Sequence, residues 1–360
     1  MHDLTNNLSL GVKMSLIKTM IHTQRLELIR QAITHNDFTT LQKMAREPGG
    51  FMKDSFRQYV WPILLRTHQG YYIDEKGSAN DIADPIQISK DVERSLYYYP
   101  QDITPNLKAR KQQELHRMIV EILWRNPRLK YYQGFHDICT VFLLVLGKRA
   151  GIPAAENVAL FFTRDAMLDS FDPISKQLRL MMSIIEYEDT ELMTFMERNN
   201  VMPFYALSWV LTWFSHDLTD FNKITRLFDL FIASSAMMPL YVASAITLIR
   251  RDELLGADPE YLHSLMTHIP EDIDIERTIQ LACHLEANYS SLYLQKRSGI
   301  WLHDESTINT WEHDWDGKKV PDRLKADQYL ANDVPVEEWE DELLTEWLTK
   351  RRCCLDDGTE

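Results

Sequence analysis

Arg94 and Gln133 carry the side chains in this sequence best suited to act on a reactive group. Each stands at a helix-loop junction crowded with tyrosines. Arg94 closes Ile88-Ser89-Lys90-Asp91-Val92-Glu93-Arg94 and is followed by Tyr97-Tyr98-Tyr99-Pro100; Gln133 lies in Lys130-Tyr131-Tyr132-Gln133-Gly134-Phe135-His136-Asp137. An arginine guanidinium is always charged and donates in a fork to phosphate oxygens. A glutamine amide donates and accepts at once, so it can align a water for attack. Charge neutralisation at a γ-phosphate and orientation of a water are the two needs of GTP hydrolysis. Structural readings compete. An Asp91-x-x-Arg94 pair often serves only as an ion pair, and a tyrosine-flanked glutamine often only as a buried hydrogen-bonding group. Arg57-x-x-x-Trp61 places both side chains on one helix face and reads as a packed tryptophan with a buttressing arginine.

Other chemistries lack their residues. The chain has no G-x-x-x-x-G-K-[ST] phosphate loop, no G-x-G-x-x-G, no H-E-x-x-H, no C-x-x-C and no G-x-S-x-G. The twelve histidines are scattered, and His263 with His268 miss the spacing that would aim both at one metal. Neither a metal nor a cofactor of the chain's own is expected.

With 360 residues, 45% apolar and 11% aromatic, the chain can bury a large core without staples. Cys139 and Cys283 sit singly in apolar runs, and Cys353-Cys354 are too close for an ordinary bridge, so a reducing compartment and a cytoplasmic location are expected. The amino terminus shows no apolar run behind a basic patch. The net charge of −14 argues against nucleic acid as a partner. Most of it lies in residues 301–360, with 17 acidic against 7 basic side chains. Leu230 to Ile249 is uncharged and long enough to span a membrane, but Pro239 and four hydroxyl residues favour two buried helices broken at Met238-Pro239.

The elements that would position the two residues are helical throughout. Apolar residues recur at helical spacing from Leu16 to Ala32. Asp37 can cap a short helix carrying Leu41, Met44 and Ala45 that stops at Gly49-Gly50, and Asp54-Ser55 can start another. Residues 70–86 read as an exposed loop. Leu107 to Trp124 is the cleanest amphipathic stretch, with Leu115, Met118, Ile119, Ile122 and Leu123 on one face. Ile138 to Leu146 reads as a buried helix ending near Gly147. Further helices are expected at 157–167, 176–187, 191–199, 203–214, 221–233, 240–255, 260–268 and 275–295. Alternating β-branched runs are nearly absent, which predicts an all-α fold without a sheet. No period of 30 to 45 residues recurs, which disfavours a solenoid. The acidic tail holds Trp301, Trp311, Trp315, Trp339 and Trp347, so part of it is expected to fold back or meet a partner, with a helix at 336–350.

Arg57-x-x-x-Trp61, Ile88-x-x-Asp91-x-x-Arg94 and Tyr131-x-Gln133-Gly134 together resemble the three signature motifs of TBC-domain proteins, the GTPase-activating proteins of Rab GTPases. Ala206-Leu207-Ser208-Trp209 to Phe214, Arg226-Leu227-Phe228-Asp229 and Met238-Pro239-Leu240-Tyr241 are also similar to that family, over roughly residues 50–270. The resemblance implies a TBC-type domain of two helical subdomains, 51–155 with the catalytic motifs and 156–300. A helical segment, 1–50, would pack on it, and a partly ordered tail, 301–360, would complete the chain. It implies a GTP-bound Rab as partner, with GTP and magnesium held by that partner. Arg94 matches the family's arginine finger and Gln133 its glutamine finger. Asp91, Tyr131, Tyr132, Gly134 and Asp137 match supporting positions, and Arg57 with Trp61 match the scaffold. His136 departs from the family, many of whose members carry Asn there.

The wording YYQGFHDI, ALSW, TWFSHDLTDF and MPLY is similar to the branch acting on the Rab of ER-to-Golgi transport, which implies the cytosolic face of those membranes. That branch often carries a carboxyl-terminal hydrophobic anchor, and no such run follows residue 300. A soluble variant, or a chain continuing to an anchor, is therefore expected. The alternative function is a helical adaptor that binds a Rab without accelerating hydrolysis.

Overall fold

The computed structural model describes residues 10–68, 84–100 and 103–315, and among these residues every regular element is a helix. The first described elements are α1 (Leu10–Thr34) and α2 (Phe38–Arg46). Asp37 caps α2 by accepting from the Thr40 N–H at 3.0 Å. Arg25 of α1 donates to the Met44 and Gly50 carbonyls, so the amino-terminal helix packs on α2 and on the turn after it.

Helix α3 (Asp54–Leu64), α4 (Pro85–Arg94) and α5 (Pro105–Arg125) come next. Pro85 and Pro105 sit in the first turns of their helices, where a missing N–H costs nothing. The expected stripe of α5 from Leu115 to Leu123 is buried. It packs on α6 (Phe135–Phe161), the long central helix, which departs from expectation. The apolar run does end at Gly147, before Lys148-Arg149, but the helix does not stop there: that glycine is non-helical, with φ +71°, and beyond the kink a second segment carries α6 on to Phe161. The helix expected at 157–167 is therefore the end of α6, followed by a short 3-10 turn at Arg164–Met167. Helix α6 is long and apolar enough to cross a membrane, but 61% of its apolar window is buried inside the fold.

The second half contains α7 (Asp172–Glu188), α8 (Thr190–Arg198), α9 (Leu207–Leu211), α10 (Phe221–Phe231), α11 (Met238–Ile249), α12 (Arg251–Leu255), α13 (Pro259–Thr267), α14 (Ile275–Asn288), α15 (Ser291–Ser298) and α16 (Thr307–Asp314). The helix expected at 203–214 is instead a 3-10 turn leading into the five-residue α9. Trp213 and Phe214 adopt φ +51° and +65°, left-handed values a helix does not admit, while both rings are buried. The apolar stretch 230–249 is shared between two helices, but the break falls at 232–237 and not at Met238-Pro239: α10 ends at Phe231, and Met238-Pro239 opens α11, where a proline in the first turn costs no hydrogen bond. The 240–255 and 275–295 expectations each split in two, at Arg250 and at Tyr289-Ser290, where Ser290 caps α15 by accepting from the Tyr293 N–H.

An aromatic spine joins the two halves. Trp61 lies 5.6 Å from Phe142 and 5.9 Å from Phe228, and Trp213 is 5.3 Å from both Phe228 and Phe231. The described part of the tail folds back, as expected. Trp315 packs on Phe161 and Phe162, and buried Asp165 accepts from Ser306 Oγ at 2.6 Å and from the Thr307 N–H at 3.0 Å. The helix expected at 336–350 lies outside the described residues.

Candidate functional site

The carboxyl end of α4, the amino end of α6 and the turn between α9 and α10 meet around an open cavity of about 140 Å³. Asp91, Arg94, Tyr97 to Tyr99, Gln133, His136, Asp137, Ser215 and His216 line it. Arg94 and Gln133, thirty-nine positions apart in sequence, thus share one cavity.

Asp91 is the anchor. It is 1% exposed, and both its oxygens are occupied. Oδ1 accepts from Arg94 Nη2 at 3.0 Å and from Gln87 Nε2 at 2.9 Å; Oδ2 accepts from the Tyr131 hydroxyl at 2.8 Å. A buried carboxylate held from both sides fixes the base of the Arg94 guanidinium, which remains half exposed toward the cavity. Burial, reinforced by the Asp91 charge, pushes the Tyr131 phenol well above its ordinary value, so it stays a donor at any working pH.

Gln133 is exposed, and its amide has no hydrogen-bond partner among the described residues. Its neighbours hold the backbone. Tyr132 donates to the Leu211 carbonyl at 2.8 Å, and the Asp137 N–H donates to the Gly134 carbonyl at 3.0 Å. Gly134 has φ +115°, and a Cβ there would lie 2.8 Å from Thr212 Cγ2, so glycine is required both by conformation and by space.

A chain of polar contacts links the two supports, and no local sequence pattern singles out its last member. His136 Nδ1 lies 3.3 Å from the Tyr131 hydroxyl, and its Nε2 lies 3.4 Å from Asp137 Oδ1. Asp137 Oδ2 meets His216 Nδ1 at 3.1 Å. Tyr99, pinned by donation to the Ser215 carbonyl at 3.0 Å, closes the same wall. His216 is 79 positions from Asp137, and no spacing rule connects them.

Arg57 and Trp61 do not line the cavity. Asp229, fully buried, accepts from Arg57 Nε and Nη2 at 2.9 Å each, from Trp61 Nε1 at 2.8 Å and from the Phe51 N–H at 3.2 Å. Burial opposes the Arg57 charge, but the Asp229 carboxylate outweighs it and raises the guanidinium pKa. The pair clamps α3 to α10.

The sequence model of the Rab-GTPase-TBC domain family matches residues 54–255, a span that holds the cavity and the Asp229 clamp. This chain belongs to that family. Among its relatives, TBC1 domain family member 20 of Bos taurus is 34% identical over 322 residues, covering 88% of this chain and 80% of that one. The GTPase-activating protein gyp10 of Schizosaccharomyces pombe is 31% identical over 265 residues, covering 71% of this chain and 70% of that protein. The fold is shared with the Chlamydomonas flagellar RabGAP TBC domain, at a TM-score of 0.56 and 16% identity over 76% of this chain and 96% of that one. It is shared also with the Ypt/Rab-GAP domain of Gyp1p, at 0.55 and 14% over 72% and 98%.

Proposed function

We propose that this protein is a GTPase-activating protein for a Rab-family GTPase and supplies two groups in trans to the partner's active site. Arg94 neutralises charge developing on the γ-phosphate, and Gln133 orients the attacking water. The nucleotide and its magnesium belong to the partner, so the chain itself contributes only positioning and electrostatic stabilisation. The observation that carries this reading is the contrast between two groups lining one open cavity and the residues that hold them. Asp91, Tyr131, Tyr132 and Gly134 are buried or packed and fully engaged, whereas the two groups they support point outward with donors to spare. Purely structural residues would be engaged like Arg57. The similarity to GTPase-activating relatives supports the same reading.

The motif wording further supports a Rab of ER-to-Golgi transport as substrate, met at the cytosolic face of those membranes. The test is single-turnover phosphate release from a panel of GTP-loaded Rabs. Acceleration of at least one of them, with the ER-to-Golgi Rab among the fastest, is expected. Tight binding across the panel without acceleration of any member would replace this reading with that of a non-catalytic adaptor.

A further inference from the structure

Next to Arg94, the chain exposes two large aromatic side chains that the mechanism does not use. Tyr97 is 78% exposed and Tyr98 54%. Their rings stack edge to face at 5.1 Å, and neither phenol has a hydrogen-bond partner among the described residues. Lys108 of α5 stands 5.9 Å above the Tyr97 ring.

The segment that carries them is held firmly from both ends. Ser95 is buried and donates to the Val92 carbonyl at 2.7 Å, and Gln112 of α5 donates to the Glu93 carbonyl at 2.9 Å. Leu96 is buried with φ +58°, and Tyr99 is locked by Ser215 and by ring contact with Phe221 at 5.0 Å. Two rigid aromatics with few rotatable bonds, presented to water on a fixed backbone, lose little entropy on binding and bury much area. Interface anchors have these properties.

We infer that Tyr97 and Tyr98 form the docking surface for the partner GTPase's nucleotide-sensing switch segment. The inference rests on the finger role of Arg94. If Arg94 reaches the γ-phosphate, then Tyr97, three residues on and within about 10 Å along an extended chain, faces the protein surface that surrounds that phosphate. In a small GTPase this surface is the segment ordered by contacts to the γ-phosphate and magnesium. The occupant is thus a GTP-state switch surface with an exposed apolar or backbone patch, recognised by ring faces and not by the phenol hydroxyls.

The experiment uses the full chain and the GTP-loaded Rab that the wild type turns over fastest. Tyr97→Ala/Tyr98→Ala is expected to raise KM at least about tenfold while keeping kcat within about threefold, because the fingers and their supports are untouched. Tyr97→Phe/Tyr98→Phe is expected to match the wild type. Binding of the double alanine variant should weaken toward the Rab loaded with a non-hydrolysable GTP analogue and change less than about threefold toward the GDP form. Arg94→Ala run alongside separates the two claims. If Arg94→Ala is inactive and the tyrosine variant keeps a wild-type KM, the docking role is refuted and the finger role stands. A loss of kcat at unchanged KM, or a phenylalanine variant as weak as alanine, also overturns the docking role. Full activity of Arg94→Ala removes the premise of both.

Discussion

The guanidinium of Arg94 is oriented by one buried carboxylate, and that carboxylate is held in turn by the Gln87 amide on Oδ1 and the Tyr131 phenol on Oδ2. Removing the Tyr131 hydroxyl leaves Asp91 Oδ2 without its donor. Tyr131→Phe is therefore expected to lower kcat about tenfold at nearly constant KM, read by multiple-turnover kinetics with Rab-GTP as substrate. Wild-type kcat in that variant would show that the Gln87 amide alone holds Asp91 in place. Gly134→Ala is expected to fail differently. Both its left-handed φ and the nearby Thr212 methyl oppose a Cβ, and the lost thermal stability, about 1 to 3 kcal/mol, should appear in a melting curve before any assay. At this scale the sequence was legible where contacts are local. The three-residue spacing of Asp91 and Arg94 on one helical turn announces their ion pair, and the tyrosine cluster marks Gln133. His216 was not legible, because its contact with Asp137 is made only by the meeting of the α9-α10 turn with the start of α6.

The helices are positioned by a small number of buried polar clamps, of which Asp229 is the most demanding. Four donors from α3 and from the segment before it converge on its carboxylate. Truncating Arg57 leaves that charge buried and incompletely compensated, which costs about 3 to 5 kcal/mol. Chemical denaturation of Arg57→Ala should show this loss, and Arg57→Lys should recover only part of it, since an ammonium cannot reproduce the two-pronged contact. A loss below about 1 kcal/mol would contradict the clamp. Helix existence was readable from apolar periodicity, as in α5, and so was the capping of α2 by Asp37. Boundaries were not. Gly147 looks like a stop but acts as a kink because α6 is buried on both sides of it, and the left-handed turn at Trp213 and Phe214 is imposed by the aromatic spine into which both rings are packed.

Across the whole molecule, burial raises the phenol pKa of Tyr99, Tyr131, Tyr132, Tyr205 and Tyr241 above the ordinary 10.0. Above pH about 10 the unfolded chain releases these protons while the folded chain retains them. Stability is therefore full below that value and falls steeply as pH rises beyond it. Urea midpoints measured between pH 8 and 11 should be level up to about 10 and then drop; a flat profile to pH 11 would mean that these phenols ionise in the folded state. The all-helical architecture followed from composition and period, since no stretch carries strand alternation. The cavity did not, because three elements distant in sequence build it. Its role in catalysis is tested most directly by single-turnover phosphate release from a GTP-loaded Rab, with the wild type beside Arg94→Ala. The wild type should accelerate hydrolysis about 10³- to 10⁵-fold, and Arg94→Ala should return it to near the intrinsic rate while circular dichroism shows an unchanged fold. Full stimulation by Arg94→Ala would contradict the assignment of Arg94 as the group that acts on the γ-phosphate.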